Sequence, residues 1–188
     1  MAIKQEKPRV AAQGFRKVHK VSTPLLYDDT RNSVKSQALK VAWGDWADKV
    51  GDRKGGWDWF ATLTFRDRTP EEVKSGWTKV GWAYSSKACD AFLCHVGEVK
   101  GLHDVHWLRA REIQRDRGVP HWHALIGGVK DLRRDAAWQW WHERYGFARI
   151  LPYEREKGAS FYLCKYVTKE LGDIEFSPSL RLDKGDTL

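Results

Sequence analysis

The four residues Arg115-Asp116-Arg117-Gly118 separate two runs, 106–114 and 120–126, that suit β-strands. A tight turn of this kind, closed by glycine, folds the chain back and joins neighbouring strands antiparallel. The second run reads Pro-His-Trp-His-Ala-Leu-Ile. Side chains alternate along a strand, so His121 and His123 project from one face, roughly 7 Å apart along it. Pairing Arg115 with Gly118 then sets Glu112 opposite His121 on that face. Two imidazoles and a carboxylate give three ligands for one cation, with coordination positions left open. The ligand types suit Mn²⁺ or Zn²⁺, and Mg²⁺ less readily. An ion held this way would polarise a phosphoryl oxygen and stabilise charge in a transition state. Glu98 is a second candidate carboxylate, ranked lower because a connection and a further strand separate it from the histidine hairpin.

The rest of the chain alternates helical and strand patterns. Val34, Ala38, Val41, Ala42 and Trp46 recur at helical spacing and predict a helix over 33–49. Residues 57–65 predict a strand with Trp59, Ala61, Leu63 and Phe65 on one face and Thr62 and Thr64 on the other. Thr69-Pro70-Glu71-Glu72 is a helix start with capping-box spacing, and the helix it opens would bury Val73, Trp77, Val80 and Tyr84. Residues 91–99 predict another strand. Asp131 can cap a helix through about 145 with Ala137, Trp141 and Tyr145 on its stripe, and 147–151 predict a short strand before a final helix near 158–170. Hairpin-linked strands with helices between them imply an α+β fold, an antiparallel sheet of about five strands flanked by helices.

Composition narrows the partner. The chain has 188 residues, room for one domain with a proper core, and a formal charge of +8. A basic surface favours a polyanion, because neutralised phosphates release condensed counterions. The eleven tryptophans suit core packing, with a few free to stack on unpaired bases. Cys89, Cys94 and Cys164 are odd in number and form no CxxC pair, which argues against a disulfide frame or a zinc site. No apolar run approaches the ~18 residues of a membrane span, and no hydrophobic signal segment opens the chain, so a soluble cytoplasmic protein is expected. Residues 1–20 carry six Lys/Arg against one acid. They read as part of a basic flexible arm over 1–32, ahead of a domain over 33–172 and a fraying tail over 173–188.

A second constellation lies in Gly158–Glu170, GASFYLCKYVTKE. Tyr162 and Tyr166 are four apart and share a helix face, with Lys165 and Lys169 forming a parallel pair beside them. Tyrosines at this spacing can dock a helix. Alternatively, a phenol held beside a metal-activated phosphodiester can attack phosphorus. A phenol of pKa ~10 is a poor nucleophile at neutral pH, and a nearby lysine helps by stabilising phenolate.

Together these motifs resemble the HUH endonucleases, which include rolling-circle replication initiators of plasmids, phages and small circular DNA viruses, relaxases and certain transposases. Residues 112–123, Glu112 to His123, are similar to the initiators' metal motif, 162–169 to their tyrosine motif, and 59–67, WFATLTFRD, to their first motif. The resemblance implies an RNA-recognition-like sheet bearing the metal on one face. It also implies metal-assisted nicking and joining of single-stranded DNA that leaves a 5′-phosphotyrosine and a free 3′-OH. By position, His121, His123 and Glu112 would be ligands for a divalent ion, Mn²⁺ or Mg²⁺. Tyr166 would be the nucleophile and Lys165 its helper, and Tyr162 would match either the other tyrosine of two-tyrosine initiators or the site where some relatives have Glu. The expected partners are single-stranded or supercoiled origin DNA and a host helicase, since the chain has no room for a helicase domain. A single-strand DNA transposase on the same scaffold and a non-catalytic nucleic-acid-binding module are the alternatives.

Overall fold

The structure, a computed structural model, describes residues 19–21, 32–76, 80–101, 104–114, 116–159, 161–162 and 174–180. The order of elements is β1 (His19–Val21), α1 (Asn32–Asp52), β2 (Trp59–Thr64), α2 (Pro70–Lys74), α3 (Trp82–Lys100), β3 (His106–Gln114), β4 (Val119–Gly127), α4 (Arg134–Arg144), β5 (Ala148–Pro152) and β6 (Ile174–Phe176). The strands form one sheet in the order β1-β6-β3-β4-β2-β5, with every neighbouring pair antiparallel. This is the expected α+β architecture. No helix among the described residues is long and apolar enough to cross a membrane.

Each sheet face packs its own core. Trp59, Ala61 and Leu63 of β2, Trp107 of β3, Trp122, Ala124 and Ile126 of β4, and Ala148 and Ile150 of β5 lie in one cluster with residues of α3 and α4. The alternate residues Leu108, Ala110, Leu125, Ile174 and Phe176 lie in a second cluster with Trp43, Trp46, Ala47 and Val50 of α1. Gly51 permits the close seat of α1 beside Trp57, because a Cβ there would stand 2.4 Å from the indole Nε1. That indole donates to the Ala47 carbonyl at 3.1 Å.

Several expectations need correction. Residues 91–99 are not a strand but the second half of α3. Ser85, Ala88, Cys89, Phe92, Leu93 and Val96 are among its buried residues, a helical stripe whose last members also fit a short apolar strand. Glu98 accordingly sits exposed on a helix. The helix begun at Thr69 forms its capping box but ends at Lys74, so Val73 and Tyr84 are exposed and share no buried stripe; Trp77 lies outside the described residues. Helix α1 buries Trp43, Trp46, Ala47 and Val50, while Ala38, Val41 and Ala42 face solvent. Helix α4 starts after Arg133, and Asp131 instead pairs with Lys100 at 2.9 Å. Within the stretch expected to fray, Ile174–Phe176 forms β6, and within the expected arm His19–Val21 forms β1.

A buried cation ties β6 to the sheet. Arg109 of β3 is 1% exposed, and its guanidinium lies 5.0 Å from the Trp107 ring centroid and 4.6 Å from that of Trp122. Its Nε donates to Glu175 of β6 at 2.9 Å, and Nη1 meets Asp90 of α3 at 2.7 Å. Burial alone would lower its pKa, but Cys89, Asp90 and Glu175 outweigh that and hold it above the ordinary arginine value. Arg109→Met removes the cation that reaches both carboxylates. It should cost about 3–5 kcal/mol in urea denaturation, and the loss should be largely recovered when Glu175 is also made apolar.

Candidate metal centre

The turn fixes the register on which the site depends. Gly118, at φ +61°, donates its N–H to the Gln114 carbonyl at 2.7 Å, and the ladder runs from Gln114↔Val119 through Glu112↔His121 to Ala110↔His123. Arg117 braces the turn by donating to the Phe65 carbonyl at 2.9 Å and to Gln114 at 3.2 Å. Glu112 therefore stands opposite His121, as the sequence predicts.

The three side chains converge. His121 Nε2 lies 2.9 Å from Glu112 Oε2 and 3.0 Å from His123 Nε2, and His123 Nε2 lies 3.4 Å from Glu112 Oε2. Ligand atoms about 2.1 Å from one ion stand about 3.0 Å apart at right angles and about 3.4 Å apart at the tetrahedral angle. The spacings fit a single cation held by these three atoms. Glu112, His121 and His123 form a His/Glu cluster that could bind a metal ion. Glu98 is not a member of it, because α3 packs against the opposite face of the sheet.

Two supports were not foreseen from the sequence. Thr62 of β2 pairs with His123 across the ladder, and its Oγ1 lies 3.1 Å from His123 Nδ1. A neutral His123 that donates its Nδ1 proton to Thr62 turns its Nε2 lone pair toward the cluster, the form a metal ligand requires. Phe60, two residues earlier on the same face, lies parallel to the His123 ring at 5.9 Å. The signal for both was the alternation of β2, which already set Thr62 apart from the core-facing residues.

Of the stretch 158–170, residues 158–159 and 161–162 are described and helical, so Tyr162 alone of the tyrosine motif is among the described residues. Asp48 of α1 anchors their start, accepting the Ala159 N–H at 2.9 Å and the Tyr153 hydroxyl at 2.6 Å. Arg155 adds a bidentate pair to Asp52 at 2.7 and 2.8 Å. Tyr162 is buried, its ring 4.8 Å from Phe60 and 5.1 Å from Tyr153, and its hydroxyl accepts the Glu154 N–H at 3.1 Å. Phe60 thus touches both His123 and Tyr162. Tyr166, Lys165 and Lys169 lie outside the described residues.

If Thr62 orients His123, Thr62→Val should weaken Mn²⁺ binding about tenfold or more, while Thr62→Ser stays near wild type and Glu98→Ala leaves affinity unchanged. Isothermal titration with Mn²⁺ measures all three. Wild-type affinity in Thr62→Val would remove the residue from the site.

Similarity to known proteins covers the same region. No curated protein and no solved structure matches the chain. The family model of Replication-associated protein ORF2 matches residues 58–171, more than half of the chain, from the start of β2 through the histidine hairpin to the tyrosine motif. The chain belongs to this family of rolling-circle replication initiators.

Proposed function

We propose that the protein is an HUH-type endonuclease that nicks and rejoins single-stranded origin DNA to initiate rolling-circle replication. The observation that carries this reading is the convergence of His121 Nε2, His123 Nε2 and Glu112 Oε2 within about one ion's coordination distance, inside the region matched to a replication-initiator family. A divalent ion there, Mn²⁺ or Mg²⁺, would supply Lewis-acid stabilisation of the scissile phosphate.

The chain's own residues supply the remaining chemistry. The Tyr166 phenolate forms a bond to phosphorus, and the bond from phosphorus to the 3′ oxygen breaks. The products are a 5′-phosphotyrosine and a 3′-OH, which takes up the proton that the phenol gave away. Lys165 and Lys169 favour phenolate by their charge. Because the phosphodiester energy is kept in the covalent intermediate, attack by a 3′-OH reverses the step and rejoins the strand. The burial of Tyr162 and its bond from the Glu154 N–H support a packing role, with its ring holding the Phe60 shelf against His123. The residues ahead of β1 would form a DNA-binding arm, and the protein would act in the cytoplasm and rely on a host helicase to unwind the replicon.

Two outcomes test the chemistry. His121→Ala or His123→Ala should lower nicking of single-stranded oligonucleotides in Mn²⁺ about 10²-fold or more with an unchanged circular dichroism spectrum. Full activity in chelator would refute the metal role. Peptide mapping of the denatured DNA–protein adduct should place DNA on Tyr166. Tyr166→Phe should form none and Tyr162→Phe should still form it. An adduct on Tyr162 alone would exchange the two roles.

A further inference from the structure

The face that carries the His/Glu cluster extends to an edge of the sheet. Strand β5 is last in the order. Thr62 pairs with His123 on one side and with Arg149 on the other, so His123, Thr62 and Arg149 form one row across the face. In the next row Glu112 pairs with His121 and His121 with Thr64. The Thr64 N–H donates to the Phe147 carbonyl at 2.8 Å, which carries the ladder one residue beyond β5 and brings Phe147 into line. Paired residues share a face. Phe147 and Arg149 therefore look out on the side of the cluster, while Ala148 and Ile150 are buried in the opposite core. With strands about 4.8 Å apart, the Arg149 and His123 backbones stand about 10 Å from each other.

Both side chains are open to a ligand. Phe147 is 58% exposed, and Arg149 is exposed without an ion pair among the described residues. Arg66, Arg117 and Arg155, by contrast, pair with Glu72, Asp67 and Asp52. A single exposed aromatic is ordinary on a protein surface. Here it stands two residues from an unengaged guanidinium, on the face of the metal cluster, in a chain of net charge +8.

We propose that Phe147 and Arg149 form a subsite for single-stranded DNA beside the His/Glu cluster, with Phe147 stacked on a base and Arg149 on the adjoining backbone phosphate. The choice of single-stranded DNA rests on the nicking reading. Aromatic faces take unpaired bases whatever their sequence, and a guanidinium meets a phosphate through two parallel donors. A duplex keeps its base faces stacked on one another and offers none to Phe147.

Fluorescence anisotropy with a labelled oligothymidylate, in chelator and over a series of salt concentrations, separates the two contributions. Phe147→Ala and Phe147→Leu should each weaken binding about tenfold with the salt slope kept. Arg149→Gln should lower the magnitude of the slope of log K against log salt by about 0.7. Unchanged affinity in both Phe147 variants together with an unchanged slope in Arg149→Gln would overturn the subsite. A parallel Mn²⁺ titration keeps the two readings apart: wild-type protein that binds no Mn²⁺ yet shows both effects would sink the metal centre and leave the subsite standing.

Discussion

Everything at the site depends on the register of β3 against β4. Side chains on a strand alternate, so a slip of one residue would turn His121 and His123 into the core under α3 and α4 and bring Trp122 to the open face. Three constraints forbid that slip. The Gly118 turn closes on Gln114, Arg117 grips the Phe65 carbonyl at the end of β2, and Trp122 is 1% exposed in the core. The last is the strongest energetically, since exposing a buried tryptophan forfeits several kcal/mol of hydrophobic burial and packing. The fold therefore uses a tryptophan between two histidines to aim both imidazoles outward.

Arg109 gives the sheet its second half. β6 has three residues and β1 has three, lengths too short to hold a sheet edge by ladder hydrogen bonds alone. Glu175, in the middle of β6, is brought into the core by an arginine already seated between two indoles. An ion pair so buried is a weak source of net stability, but it is selective about which strand may sit beside β3. Glu175 faces the core under α3, while its neighbours Ile174 and Phe176 pack with α1 on the other side.

The parts of the fold legible in the sequence are those fixed by local chemistry. The turn at Gly118, the alternation in β2, the Thr69–Glu72 capping box and the Ala137–Trp141 stripe of α4 all depend on residues within a few positions of one another. The misread parts depend on distant partners. Phe92, Leu93 and Val96 suit a strand or a buried helix equally. What decides for the helix is its continuation back through Cys89, Ala88 and Ser85, and its packing on a sheet built mostly from later residues. β6 was hidden because Ile174-Glu175-Phe176 is short and carries an acid whose partner lies 66 residues away. In the site, the cluster was legible because one hairpin makes it. Thr62 was not tied to His123 because nothing in the sequence says that β2 is the strand that flanks β4.

Among the described residues, the two sheet faces differ in how much helix covers them. The face toward α3 and α4 is buried along β2, β4 and β5, with tryptophans at Trp59, Trp122 and Trp141 closing it. Among the described residues, the other face is filled where α1, Ala159 and Tyr162 reach. Beyond Leu108, Ala110 and Leu125 its residues turn polar: Glu112, His121, Thr62 and Thr64. A sheet face left open to water must carry groups that water or a ligand can satisfy, or it becomes an aggregation surface. At the edge, Arg149 and Pro152 of β5 discourage pairing with a second sheet by charge and by a missing donor. Phe147 has no such protective role, and its exposed ring, ordinary by itself, gains its meaning from the face on which it stands. Its presence beside a polar, cation-competent cluster is better explained by a ligand with aromatic faces and negative charge than by stability.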